Sequence, residues 1–133
     1  MHAQDNSCNK LGVWLWHIET TGFKSHSELA DTHLVNQYKN RGLEVWAWTY
    51  NYPGNDKAQA EALKIAATTG YQGLIVDVEM PFDGESAILT NLFIAFNNAR
   101  TASISEGIII DSFPIGVTTW GNPKDHNFKI GLI

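Results

Sequence analysis

The sequence has little of several features that mark specialised classes of protein. One cysteine among 133 residues excludes a disulfide within the chain and leaves the cellular compartment open. Only nine residues are Lys or Arg against 14 Asp or Glu, and the formal net charge is −5. No run of basic residues occurs, which argues against a nucleic-acid or anionic-membrane surface. No apolar run reaches the roughly 20 residues of a membrane-spanning helix, and no secretory signal is present.

The composition that remains is that of a globular protein. Hydrophobic residues make up 44% of the chain and charged residues 17%, enough for one domain with a core. We interpret residues 1–11 as a polar N-terminal tail and residues 12–133 as a single domain. The chain ends abruptly in the apolar run Lys129–Ile133, which suggests a piece of a longer protein.

Short β-rich runs alternate with segments of helical periodicity. Strands are predicted over Val13–Ile18, Val45–Tyr50, Leu74–Val78 and Ile108–Ile110. Helices are predicted over Glu28–Arg41, Lys57–Thr69 and Glu85–Arg100. The βαβαβαβ order predicts an α/β fold with a parallel sheet. Two architectures qualify: part of a TIM barrel, which takes ~250 residues when complete, or an open doubly wound sheet.

The strongest candidate site is the end of the run Gly73–Glu79. Asp77 and Glu79 are two residues apart in an extended strand, so both side chains leave the same face, with Cα atoms about 6.6 Å apart. Two neighbouring acids can be driven to different pKa values, as acid–base catalysis requires. We predict Glu79 as a general acid and Asp77 as a group that stabilises charge or positions substrate. The alternative is a polar strand end in which Asp77 caps the next loop.

Aromatic and polar residues follow the ends of the other runs. Trp48, Tyr50 and Tyr52 are predicted to form a platform for sugar rings, although such aromatics can also pack in the core. His17 and Asp111 are predicted substrate contacts. The alternatives are a hydrogen-bonding role within the fold for His17 and capping of a loop for Asp111.

Cofactor chemistry has weaker support in the sequence. His17, Asp77, Glu79 and Asp111 could converge on a divalent ion, but no His or Cys spacing typical of a metal site is present. No Gly-rich phosphate loop follows a strand, and no G-x-S-x-G motif occurs. We therefore predict no metal and no cofactor.

Several segments are similar to a known family. Gly12–Ile18, Gly42–Tyr50 and Gly73–Glu79 resemble bacterial and phage glycoside-hydrolase-like TIM barrels, some of which accompany peptidoglycan-lytic modules. Pro114–Pro123 and His126–Phe128 resemble the strand and loop that follow the acidic strand in that group. The resemblance covers about residues 12–130, and its most specific part is the D-x-E strand end.

The resemblance implies a polysaccharide substrate, such as cell-wall glycan, bound at the strand ends. Asp77 and Glu79 match the acidic pair, and Trp48 and Tyr50 match the aromatic strand end. Trp120 and His126 lie in the following strand and loop, and we include both among the predicted substrate-binding residues. Such a substrate favours an extracellular or cell-envelope location.

The sequence departs from that family in two places. A βα unit between the first strand and the strand Val45–Tyr50 is absent, and the last barrel strands do not appear before Ile133. These gaps leave open an active glycosidase, a non-catalytic carbohydrate-binding or assembly module derived from one, or a small open α/β sheet that binds a metal or small ligand. Because a partial barrel leaves strand edges unpaired, we also predict a homodimer that completes the barrel.

Overall fold

A computed structural model of the chain describes residues 12–19, 31–110 and 112–119, with residues 12–19 and Met80 described by their backbone alone. The strands are β1 (Gly12–Glu19), β2 (Glu44–Tyr50), β3 (Gly73–Asp77) and β4 (Ile115–Thr118). The helices are α1 (Thr32–Lys39), α2 (Asp56–Thr69) and α3 (Ser86–Ser105), with a short 3-10 turn at Met80–Phe82. The α/β fold predicted from the sequence is confirmed.

The four strands form one parallel sheet in the order β1-β2-β3-β4. Each strand therefore lies next to its successor in the chain, and the carboxyl ends of all four lie at one edge. The backbone register places His17 beside Trp48 and Glu19 beside Tyr50, after an irregularity between Trp14 and Trp16. No helix within the described ranges is long and apolar enough to cross a membrane.

The three helices cover one face of the sheet. In β2 the side chains of Val45, Ala47 and Thr49 are fully buried, as the two-residue period of a strand requires when one face is covered. All three helices contribute to the core on that face, through residues such as Val35, Leu63 and Phe96. The alternate residues of β2 point to the other face and are only partly buried.

The prediction of a fourth strand at Ile108–Ile110 is wrong. The backbone amides of Ile108 and Ile109 donate to the carbonyl of Ser103, at 2.9 and 3.2 Å, so they close the C-terminal end of α3. Ile109 packs into the core, whereas Ile110 is 95% exposed. These apolar residues thus finish a helix, and the sheet takes its fourth strand from Ile115–Thr118.

The helix boundaries differ from the prediction in understandable ways. Asp31 caps α1, since its carboxylate accepts from the amides of His33 and Leu34 at 2.9 and 3.4 Å. Glu85 is the residue before α3, and this helix continues to Ser105 rather than ending at Arg100. The predicted α1 start at Glu28 lies outside the described residues.

On the face opposite the three described helices, large and small residues approach closely. A Cβ atom placed on Gly73 would lie 2.5–2.8 Å from three ring atoms of Trp46, so the indole ring rests directly on the glycine backbone. A Cβ on Gly116 would lie 2.7 Å from Cδ1 of Ile75. Glycine in β3 and β4 thus allows the Trp46 and Ile75 side chains to lie flat along this face, next to the strand ends that carry the acids.

Candidate functional site

Asp77 is the last residue of β3 and lies on the face opposite α1, α2 and α3. The side chain is 5% exposed, and its Oδ2 accepts a hydrogen bond of 3.2 Å from the indole Nε1 of Trp48. In the sheet register Asp77 is the neighbour of Tyr50. A nearly buried carboxylate needs such donors because burial without them is costly. The carboxyl end of β2 therefore supports the acid at the end of β3.

Glu79 follows two residues later and meets the same carboxyl group. Its side chain hydrogen-bonds to that of Asp77. Burial raises the pKa of Glu79, and the charge of Asp77 and this hydrogen bond raise it further. Glu79 therefore stays protonated to a higher pH than a free glutamate would. Such a group can donate a proton to a substrate.

Tyr50 and Tyr52 lie beside the acidic pair. Their ring centroids are 5.1 Å apart with an interplanar angle of 63°, an edge-to-face contact. Burial raises the pKa of the Tyr50 phenol, and Glu79, Tyr52 and Asp77 add to the shift. Since the negative charges act on Tyr50, the tyrosine pair and the acids belong to one site. The phenol of Tyr50 stays neutral and able to donate a hydrogen bond.

The sequence analysis did not identify two buried amide side chains at this site. Asn51 is fully buried, and its side-chain nitrogen donates to the carbonyl of Asp77 at 3.2 Å. Gln59, also fully buried, hydrogen-bonds to both backbone polar groups of Tyr52. The one available signal was Gln59 itself, a polar residue on the otherwise apolar stripe of α2 that includes Ala62 and Leu63.

The structure brings together five of the nine predicted site residues: Trp48, Tyr50, Tyr52, Asp77 and Glu79. Trp48 holds Asp77 through its N–H, a role that the sequence did not suggest. His17 has a described backbone position beside Trp48, but its side chain is not described. Asp111, Trp120 and His126 lie outside the described residues, so their predicted roles stay predictions.

Two further observations define the limits of this site. Among the side chains that the structure describes, no group of three His, Cys, Asp or Glu residues is arranged to hold a metal ion. A cavity of about 510 Å³ lies at the opposite, amino-terminal edge of the sheet, where Lys39, Glu44, Tyr71 and Phe113 are among its lining residues. None of Trp48, Tyr50, Tyr52, Asp77 and Glu79, the predicted site residues with described side chains, lines that cavity.

The comparisons with known proteins identify no relative. No family model matches the chain, and no curated protein or solved structure matches it at a significant level.

Proposed function

We propose that this chain is a glycoside-hydrolase-like domain that acts on a polysaccharide, with cell-wall glycan as the substrate class and Glu79 as the general acid. The observation that carries the proposal is the hydrogen bond between the side chains of Glu79 and Asp77 beside the two tyrosines. It places an acid of raised pKa next to aromatic rings at the carboxyl edge of a parallel sheet, where sites of α/β proteins usually lie.

The chemistry follows from the acidic pair. Cleavage of a glycosidic bond needs a carboxylic acid that is still protonated when it meets the leaving oxygen. Asp77 supplies the negative neighbour that keeps the proton on Glu79, and the N–H of Trp48 holds the Asp77 carboxylate in place. After the proton is transferred, the negative pair stabilises the positive charge that develops on the sugar ring.

The tyrosines provide the binding surface in this proposal. Sugar rings have flat apolar faces that stack on aromatic rings, while their hydroxyl groups need hydrogen-bond partners. Tyr50 and Tyr52 are partly buried and lie next to the acids, so they offer both ring surface and phenol hydroxyls. A sugar bound there would have its glycosidic oxygen near Glu79.

The strand order supports a segment of a TIM barrel over a doubly wound sheet. A doubly wound sheet reverses its order around the first strand and carries helices on both faces. Here the order follows the chain, and α1, α2 and α3 all contribute to the core on one face. In a barrel wall the helices lie outside and the other face of the sheet turns inward. The face with Trp46, Trp48 and Asp77 would then be the barrel interior.

The second candidate function is a carbohydrate-binding or assembly module without catalysis. Acid pairs of glycosidases stand about 5–5.5 Å apart when retaining and about 6.5–9.5 Å apart when inverting. Asp77 and Glu79 instead hydrogen-bond to each other, which leaves no room for a sugar carbon or a water between them. Hydrolysis would therefore need its nucleophile from another side chain or from the substrate. If none is supplied, binding alone remains.

The deciding experiment replaces Glu79 by Gln. Release of reducing ends from soluble cell-wall glycan should fall by about 100-fold or more in Glu79→Gln. Glu61→Gln is the matched control, because it makes the same change at an exposed carboxylate on α2. Turnover unchanged in Glu79→Gln removes Glu79 from the mechanism.

The same assay separates the two functions. If the unaltered protein quenches its tryptophan fluorescence on adding the glycan but forms no product during long incubation, the binding module is the function. If the protein neither binds the glycan nor forms product, both functions are rejected.

The homodimer that completes a barrel stays a proposal. It is supported by the parallel sheet, in which β1 and β4 are the outermost strands among the described residues. Light scattering of the purified chain tests it: a mass of two chains is expected, and a wholly monomeric sample contradicts it.

A further inference from the structure

We infer that two buried amide side chains position different parts of the site at the carboxyl edge of the sheet. Asn51 positions the acidic pair, and Gln59 positions the tyrosine pair. What the two pairs do rests on the proposed function. Their placement by Asn51 and Gln59 does not, because it follows from contacts within the chain.

Asn51 ties the end of β2 to the end of β3. Its backbone N–H donates to the carbonyl of Asp77 at 3.0 Å, and its side-chain nitrogen donates to the same carbonyl at 3.2 Å. That nitrogen also donates to the carbonyl and hydroxyl oxygens of Thr49, both at 3.0 Å. The Thr49 hydroxyl in turn donates to the carbonyl of Ile75 at 3.2 Å. The carbonyls of Ile75 and Asp77, which both accept from the β2 side of β3, are thus held by one polar cluster.

This cluster lies where the chain leaves β3 and turns towards Glu79. On the other side of the turn, the amide of Val78 donates to the carbonyl of Thr118 at 2.9 Å. The carbonyl of Glu79 accepts from the amide of Phe82 at 2.9 Å. The distance between the two carboxyl groups depends on this short backbone segment. From the side of β2, Asn51 restrains the backbone of this segment, whereas Trp48 holds the Asp77 carboxylate itself.

Gln59 holds the next residue pair by a different set of bonds. Its Oε1 accepts from the amide of Tyr52 at 3.0 Å, and its Nε2 donates to the carbonyl of Tyr52 at 2.8 Å. The same Nε2 donates to the carbonyl of Gly54. The loop contains two successive left-handed residues, Gly54 at φ 88° and Asn55 at φ 53°. The amide therefore pairs with Tyr52 as a neighbouring strand would, and the Tyr52 ring is kept against Tyr50.

The hydrogen bonds named above join the two amides to different partners, so we expect their effects to be separable. Asn51 bonds to Thr49 and Asp77, whereas Gln59 bonds to Tyr52 and Gly54. Removing the Asn51 amide should loosen the acids and leave the rings in place. Removing the Gln59 amide should free Tyr52 and leave the acids in contact.

The experiment compares Asn51→Ala with Gln59→Ala by NMR. Titration of the Glu79 side-chain carboxyl carbon reports the acidic pair, and the nuclear Overhauser effect between the Tyr50 and Tyr52 rings reports the tyrosine pair. In Asn51→Ala the pKa of Glu79 should move down towards its ordinary value while the ring contact persists. In Gln59→Ala the ring contact should weaken while the pKa of Glu79 stays raised. Each variant is the control for the other.

Kinetics on soluble cell-wall glycan should separate the two variants, with one affecting kcat and the other KM. Asn51→Ala should lower kcat by about a hundredfold, the scale of a small misplacement of a reacting group, with KM unchanged. Gln59→Ala should raise KM several-fold with kcat retained. If the unaltered protein does not act on the glycan, the proposed function fails, and the two NMR readouts still decide the positioning roles.

Three outcomes overturn the inference. The first is that neither the Glu79 pKa nor the contact between the tyrosine rings changes in either variant. The second is that both change together in each variant. Should Asn51→Ala not fold, Asn51→Ser retains one hydroxyl donor and should give a smaller shift of the Glu79 pKa in the same direction. Failure of both Asn51 variants to fold is the third, because it makes the residue structural.

Discussion

The two faces of the central strands differ in almost every property, although they alternate residue by residue. Towards the helices, β2 presents Val45, Ala47 and Thr49, none of which is exposed. Away from them it presents Trp46 and Trp48, which are large, partly buried and hydrogen-bonded to Glu44 and Asp77. The first face gains its stability from removal of apolar surface. The second combines ring surface with acids, as a binding site requires.

Burial of an acid on the second face is energetically unfavourable. Asp77 is only 5% exposed, and a carboxylate buried without partners is strongly unfavourable. The indole of Trp48 and the carboxyl group of Glu79 offset that cost by hydrogen bonding. The two-residue period of the strand therefore separates the apolar core from the candidate site, and substitutions on the two faces should have different kinds of effect.

The largest difference should appear between the neighbours Leu74 and Ile75 in β3. Leu74 is fully buried under the helices, so Leu74→Ala should lower the free energy of unfolding by about 3 kcal/mol. Ile75 is partly buried on the other face, and Ile75→Ala should cost about half as much. Urea unfolding of both variants measures this. Equal losses would mean that the second face is packed as fully as the first.

A smaller effect is expected where glycines make room on the second face. In Gly73→Ala the new methyl group would meet the Trp46 ring at 2.5–2.8 Å, and the rigid indole must shift; we expect a loss of about 1–3 kcal/mol. In Gly116→Ala the methyl group would meet only the terminal Cδ1 of Ile75, which can rotate away. Gly116→Ala should therefore stay within about 1 kcal/mol of the parent. Thermal or urea unfolding compares them, and the reverse ranking would contradict this packing.

The smallest effect is a pH dependence from Glu79. Its pKa is raised in the folded protein, so at intermediate pH the folded chain binds more protons than the unfolded chain. Stability from this group is complete below the unfolded pKa of about 4.3 and is lost as pH rises through the folded pKa.

Urea midpoints measured across this pH range test the sign. Glu79→Gln should remove that part of the decrease, whereas Glu61→Gln on the exposed side of α2 should keep it. Parallel profiles for the parent and Glu79→Gln would show that Glu79 does not carry a raised pKa.

The sequence predicted what depends on local periodicity. Alternation in Val45–Tyr50 and Leu74–Val78 located β2 and β3, and helical spacing located α1, α2 and α3 within a few residues. The D-x-E spacing placed Asp77 and Glu79 at one end of one strand, and the structure has them in contact. These patterns are local, so a short window of sequence contains them.

The sequence failed where the role of a residue depends on distant backbone. Ile108–Ile110 has the composition of a strand, yet its amides close α3 by bonding to Ser103. The strand Ile115–Thr118 is short and contains Gly116, so its pattern was too weak to stand out. Both results reflect competition between tertiary partners for the same backbone groups, which composition does not reveal.

The amino-acid sequence by itself determined the order of strands and helices, the face on which each strand residue lies, and the pairing of two acids at one strand end. Only the tertiary structure decided that Trp48 holds Asp77, that the side chains of Glu79 and Asp77 hydrogen-bond to each other, and that Asn51 and Gln59 bind backbone polar groups. The physical reason is range: periodicity acts over a few residues, whereas a hydrogen bond between β2 and β3 joins residues 26 to 29 positions apart.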